Sequence, residues 1–195
     1  MGGHIRWRAW GLATLGLAAL VCFGFRAVGD EHEGRVVLQF DTMTGNPGNG
    51  NPANVIRGLQ GGGVPWVILH SVHGELTRSG KLHVRVRGLV IPIAPFDNSN
   101  PVGMFRAALS CQDPIDANNG QLFFTNLFPA TTGAGAGDAD IDGQVQLPDS
   151  CLAPIVLITS PPSTSSPDGA WFAATGFPVA THPDHDGDSD DGGSY

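Results

Sequence analysis

Between Val72 and Ile91 apolar and polar residues alternate through two successive runs, VHGELT and KLHVRVR, separated by Arg78, Ser79 and Gly80. Leu82, Val84 and Val86 fall on one side of the second run, and Lys81, His83, Arg85 and Arg87 on the other. A period of two is the period of a strand, so the apolar set faces a core. Upstream, Val72, Gly74 and Leu76 alternate against His73, Glu75 and Thr77. The two runs predict a hairpin whose three-residue loop ends on a positive φ, which Gly80 adopts without steric cost. Folding about Ser79 sets Leu76 opposite Leu82 and Val72 opposite Val86, with Glu75 facing His83 and His73 facing Arg85. A slip of one residue would turn every side chain to the wrong face.

Further strands follow from the same pattern. Residues 35–40 (RVVLQF) read as a first strand. Residues 64–69 (VPWVIL) form a continuous apolar run that fits a strand buried on both faces, with Pro65 at its start. Residues 103–111 fit a helix through Met104, Ala107 and Ala108, or a strand through Phe105, Ala107, Leu109 and Cys111. The run is shorter than a typical helix and is read as a strand. Residues 121–128, 153–159 and 170–177 add three more. In residues 138–147, Asp138, Asp140, Asp142, Gln144 and Gln146 alternate with apolar or small residues, giving a half-buried strand with an acidic wet face. Residues 42–55, 96–101, 131–137 and 160–169 are rich in Asn, Gly, Pro and Ser and read as turns and surface loops.

Composition supports this assignment. With 195 residues, 41% hydrophobic and 14% charged, the chain suits one domain with an ordinary core. Its 28 Gly and 15 Pro imply many turns and little helix. The predicted fold is an all-β, antiparallel β-sandwich of about eight or nine short strands over residues 30–180, followed by a disordered acidic tail at 181–195.

The first 29 residues place the chain outside the cytoplasm. Arg6 and Arg8 precede an apolar run from Trp10 to Phe25, and Ala27 and Gly29 supply small residues at a cleavage site. This is the arrangement of a Sec-type export signal. An uncleaved anchor is the competing reading, and only then would the protein meet a membrane; the run is short for a span and broken by glycines, which favours cleavage. Cys22 lacks the small preceding residue of a lipoprotein site. Removing residues 1–29 leaves seven Lys and Arg against eighteen acids, a net charge of −11. Such a chain avoids nucleic acid. The two remaining cysteines, Cys111 and Cys151, are expected to pair in an oxidising compartment.

Three groups of residues carry candidate chemistry. Lys81, His83, Arg85 and Arg87 form a basic face that could bind an anionic glycan or phosphate. The plainer reading is a solvated sheet face, and it gains weight if the acidic strand of residues 138–142 lies alongside, where opposite charges would meet across the ladder. In the tail, Asp184, Asp186, Asp188 and Asp190 offer carboxylates to a hard cation such as Ca²⁺. The match to an EF-hand loop fails, because Asp191 stands where glycine is required and the chain ends before the bidentate Glu. A solubilising tail without a cofactor is the better reading. His70, His73, Glu75 and His83 cluster on residues 70–83, which would suit an unrecognised hydrolase site. No G-x-S-x-G elbow accompanies them, and a polar cross-strand ladder accounts for them equally well.

Taken together, residues 40–45 (FDTMTG), 56–68 (IRGLQGGGVPWVI), 74–90 (GELTRSGKLHVRVRGLV), 100–111 (NPVGMFRAALSC), 127–132 (LFPATT), 147–161 (LPDSCLAPIVLITSP) and 170–177 (AWFAATGF) resemble a group of secreted bacterial all-β proteins without established activity. Residues 80–89 also resemble the G-x-L-x-V-x-V-x-G-L rhythm of chordin-type β modules, which is generic to hairpins. The resemblance implies export and an all-β fold, and carries no functional residues. The expected role is a non-enzymatic binding or structural module of the cell envelope or extracellular space, with a cell-envelope or glycan partner. The alternative is a secreted hydrolase using the 70–83 hairpin.

Overall fold

The computed structural model describes residues 34–48, 54–116 and 119–176, and among these all regular structure is extended. In chain order the strands are β1 (Val36–Phe40), β2 (Met43–Gly45), β3 (Val55–Ile56), β4 (Leu59–Gln60) and β5 (Val67–Thr77). β6 (Lys81–Val90), β7 (Ser99–Asn100), β8 (Met104–Gln112), β9 (Gly120–Phe124) and β10 (Phe128–Pro129) follow. β11 (Gly133–Ala134), β12 (Ala139–Gln144), β13 (Leu152–Thr159) and β14 (Trp171–Thr175) complete the series. The export signal expected at residues 1–29 and the acidic tail expected at 181–195 lie outside the described residues. Among the described residues, no helix is long and apolar enough to cross a membrane.

Two antiparallel sheets form a sandwich. One has four strands in the order β1-β5-β6-β12; the other has six, in the order β10-β8-β13-β14-β2, with β9 also paired to β8. Their inner faces supply one core. Val72, Leu76, Leu82, Val84, Val86 and Ile141 meet Phe105, Ala107, Leu109, Val156 and Ile158 across it. Leu82, Val84 and Val86 are fully buried, as their alternation requires, each stabilising the fold by about 1.5–3 kcal/mol.

The central hairpin has the expected register, with Val72↔Val86, His73↔Arg85, Glu75↔His83 and Leu76↔Leu82. Gly80 has φ +87°, and its N–H donates to the Thr77 carbonyl at 3.0 Å. A Cβ there would also lie 2.2 Å from the Val145 carbonyl oxygen, so both backbone conformation and space demand glycine.

The ten strands of the two sheets differ from the predicted eight or nine at three places. The runs at 64–69 and 72–77 fuse into the single long β5, which passes a register shift between Ile68 and Ser71. The run at 121–128 splits into β9 and β10. There the Ala107 N–H is taken by the Thr125 hydroxyl at 3.0 Å while the Thr125 N–H donates to the Ala107 carbonyl at 2.9 Å. A side chain has replaced a ladder partner, and pairing resumes with Phe128↔Phe105 after Phe124↔Ala108, one residue out of step.

The third difference corrects the reading of residues 42–55 as surface loop. Met43–Gly45 is an edge strand on β14, and Asn46 is fully buried. The Asn46 amide donates to the Gly62 carbonyl (2.8 Å) and the Trp171 carbonyl (3.3 Å), while its oxygen accepts from Gly48 N–H (3.0 Å) and the Asn54 amide (3.2 Å). A polar side chain is thus buried with all its hydrogen-bonding capacity met. Residues 99–100 and 133–134, also read as loop, pair as β7 and β11.

The six-stranded sheet is covered on its outer face too. β8 is buried on both sides, and Leu59, Ala108, Leu157, Trp171 and Ala174 make a second apolar cluster there. A bulge in β14, with Ile158↔Ala173 but Thr159↔Trp171, leaves Phe172 as the extra residue. Trp171 and Ala174 therefore join the outer cluster while Phe172 and Ala173 join the core. In the core, Phe172 stacks on Trp66 with ring centroids 4.0 Å apart.

Candidate functional site

The sheet face singled out by its basic residues has β12 as its neighbour, with Asp140↔Arg85, Asp142↔His83 and Gln144↔Lys81 in register. Arg85 Nε donates to Asp140 Oδ1 at 3.0 Å, and Arg87 Nη2 donates to both Asp140 oxygens at 2.9 and 3.0 Å. Arg87 Nη1 donates to the carbonyls of Val86 (2.8 Å) and Ala139 (3.1 Å). Lys81 Nζ stands 3.6 Å from Asp142, and Asp138 accepts from Gly88 N–H at 2.8 Å. The hydrogen bond from Arg87 is the largest influence holding the Asp140 carboxyl below its ordinary value; partial burial opposes it, and Arg85 adds to it. The structure brings Lys81, His83, Arg85 and Arg87 together on one face, and β12 meets the three fixed charges among them. A free anion would compete with Asp140 for both guanidinium groups.

The histidines lie on the same sheet. His73 Nδ1 is 2.6 Å from Asp41 Oδ1, and Glu75 sits across the ladder from His83. Asp41 was beyond local pattern, because it reaches His73 only through the pairing of β1 with β5. His70 stands apart, against Gly88, whose added Cβ would come within 2.9 Å of its ring. His70, His73, Glu75 and His83 line none of the four cavities described below.

The fold has a different kind of surface at its disulfide end. Cys111, closing β8, is bonded to Cys151, just before β13, with Cα atoms 4.9 Å apart. At Cys111 a cavity of about 270 Å³ is lined by Cys111, Gln112, Pro114, Gln121, Asp149 and Leu152. At Cys151 a second cavity, of about 170 Å³, is lined by Val37, Leu38, Leu76, Leu109, Leu147 and Cys151. Pro148 borders both. Leu152, in the wall of the first cavity, is 53% exposed and Val37, in the wall of the second, 49%, while Ile115, next in sequence to the wall residue Pro114, is 96% exposed. Asp113 shapes the turn at Ile115, its carboxylate accepting from the Ile115 N–H at 2.7 Å. Sequence reasoning missed this surface; the available signal was apolar residues in turn segments, Ile115 between Pro114 and Asp116 and Leu152 beside Cys151.

There are two other recesses. One of about 200 Å³ lies between residues 58–60 and 165–169, and one of about 410 Å³ is walled by Arg87, Pro129, Thr131, Asp138 and Asp140. Asp184, Asp186, Asp188 and Asp190 lie outside the described residues, and among the described residues no three His, Cys, Asp or Glu are placed to hold a metal ion. Comparison with protein-family models, curated proteins and solved structures finds no match.

Proposed function

We propose that the protein is an exported, non-enzymatic binding module of the cell envelope or extracellular space, and that it engages its partner through the disulfide end rather than the basic face. The observation that carries this reading is the pair of cavities sharing Pro148, with the exposed side chains of Leu152 in the wall of one and Val37 in the wall of the other. Exposed apolar side chains grouped at recesses mark interaction sites. The charges of Lys81, Arg85 and Arg87, by contrast, are met by Asp140 and Asp142 within the sheet. The Cys111–Cys151 bond is compatible with an oxidising, extracytoplasmic location.

A photo-crosslinking residue at position 152, compared with one at position 75 on the charged face, tests the proposal in the native culture. Covalent adducts at 152 and not at 75 are expected. Adducts at 75 alone would move the binding surface to the charged face, and none at either position would overturn the binding reading. The hydrolase alternative draws on the 2.6 Å His73–Asp41 pair, since a carboxylate orients a catalytic histidine in this way. It requires a hydrolytic activity that His73→Ala abolishes without unfolding the chain.

A further inference from the structure

Resting on the binding reading above, we infer that the disulfide end accepts an extended polypeptide segment in which apolar side chains are flanked by Lys or Arg. Size excludes a single bulky occupant. At about 270 and 170 Å³, each cavity is below the roughly 300 Å³ at which pockets enclose a drug-sized molecule. Two small recesses on either side of Pro148 instead suit separate side chains from one chain passing over the ridge.

The main chain of such a segment has a partner as well. β1 is the edge strand of the four-stranded sheet, and Val37 and Leu38 on it wall the second cavity. Among the described residues its outer edge is unpaired and offers N–H and C=O groups to an added extended chain. Val36 and Val37 are 42% and 49% exposed on that strand, so a segment lying there would cover apolar surface at the same time.

Charge sets the rest of the partner's chemistry. Neither cavity is lined by a Lys or Arg, whereas Asp149 is in the wall of the first and Asp113 shapes the adjoining turn at Ile115. The nearby Arg57 is engaged, donating from Nη1 to the Ser110 carbonyl at 3.0 Å. Asp149 in the wall of the first cavity would receive the segment's cationic flank, while the second cavity, walled by Val37, Leu38, Leu76, Leu109 and Leu147, would receive an apolar side chain. The exported chain, with seven Lys and Arg against eighteen acids, carries a net charge of −11 and attracts a cationic partner at long range.

Fluorescence anisotropy with two labelled octapeptides, one alternating lysine with valine and one alternating glutamate with valine, tests the inference on the exported protein. The lysine peptide is expected to bind at least tenfold more tightly than the glutamate peptide, with the difference shrinking in 0.5 M salt. Leu152→Ser, at an exposed position where folding is retained, is expected to weaken lysine-peptide binding about tenfold, and Asp149→Asn about threefold, with thermal unfolding unchanged. Equal binding of both peptides, or binding untouched by Leu152→Ser, overturns the inference. Adducts at position 152 in culture without lysine-peptide binding refute the cationic partner and leave the binding module standing; the absence of both refutes both.

Discussion

Arg87 reaches diagonally across the sheet to Asp140, which it grips with Nη2 on both carboxylate oxygens at 2.9 and 3.0 Å, while Arg85, the direct cross-strand neighbour, holds one of the same oxygens. One acid thereby engages two of the three fixed charges on the basic stripe of β6. The pair turns what reads in sequence as a ligand surface into part of the sheet's own ladder.

Asp140→Asn tests that role through pH. Because the folded-state pKa of Asp140 lies below its unfolded value near 3.9, the ionised form stabilises the fold; that contribution is full above the unfolded value and fades as pH falls through the folded one. The side chain is 55% exposed, so solvent screening limits the loss at pH 7 to about 0.5–1 kcal/mol. Urea unfolding at pH 7 and at pH 3 should show the variant less stable at the first, with the gap narrower at the second, as the carboxylate begins to protonate. A gap of the same size at pH 3 as at pH 7 would place the effect elsewhere than in the ion pair.

Gly80→Ala probes the turn. At φ +87° an L-residue is strained by about 1–2 kcal/mol, and the new Cβ would meet the Val145 carbonyl oxygen at 2.2 Å, which is backbone and cannot swing away. A loss above about 2 kcal/mol is expected in thermal or urea unfolding, larger than for Gly34→Ala, where a Cβ meets nothing within 4 Å.

The hairpin was legible because three independent signals agree on it: the apolar face, the polar face and the glycine in the loop. Each needs only local pattern, and together they fix the register. Asn46 was opaque for the opposite reason. Its burial depends on the carbonyls of Gly62 and Trp171, the second of them 125 residues away, and a run of Asn, Gly and Pro carries no local sign of such partners. The disulfide end was hidden likewise, since its walls come from β1, β5, β8 and the segments around Pro114 and Pro148. Asn46→Ala should cost about 2–4 kcal/mol in chemical denaturation, because it strips the Gly48 N–H and the Gly62 carbonyl of buried partners. A cost below about 1 kcal/mol would show that water replaces the side chain.

Arg106 reverses the usual expectation for a buried charge. It is only 9% exposed, on the outer row of β8, with its guanidinium carbon 3.8 Å from the centre of the Phe124 ring and Nε donating to the Thr159 hydroxyl at 3.3 Å. Its Nη2 is buried with no hydrogen-bond partner, and burial pushes its pKa down against the raising field of Asp168. The stacking is worth about 1–2 kcal/mol, while a desolvated and incompletely bonded guanidinium costs a comparable or larger amount. Arg106→Met, which keeps the volume over Phe124 and removes the charge, should therefore leave stability within about 1 kcal/mol or raise it. Arg106→Ala, which opens a gap between β9 and β13, should lower it by about 2 kcal/mol. Urea unfolding of both variants separates packing from charge. If Arg106→Met costs as much as Arg106→Ala, the guanidinium itself, and not the space it fills, holds the outer face of the sheet.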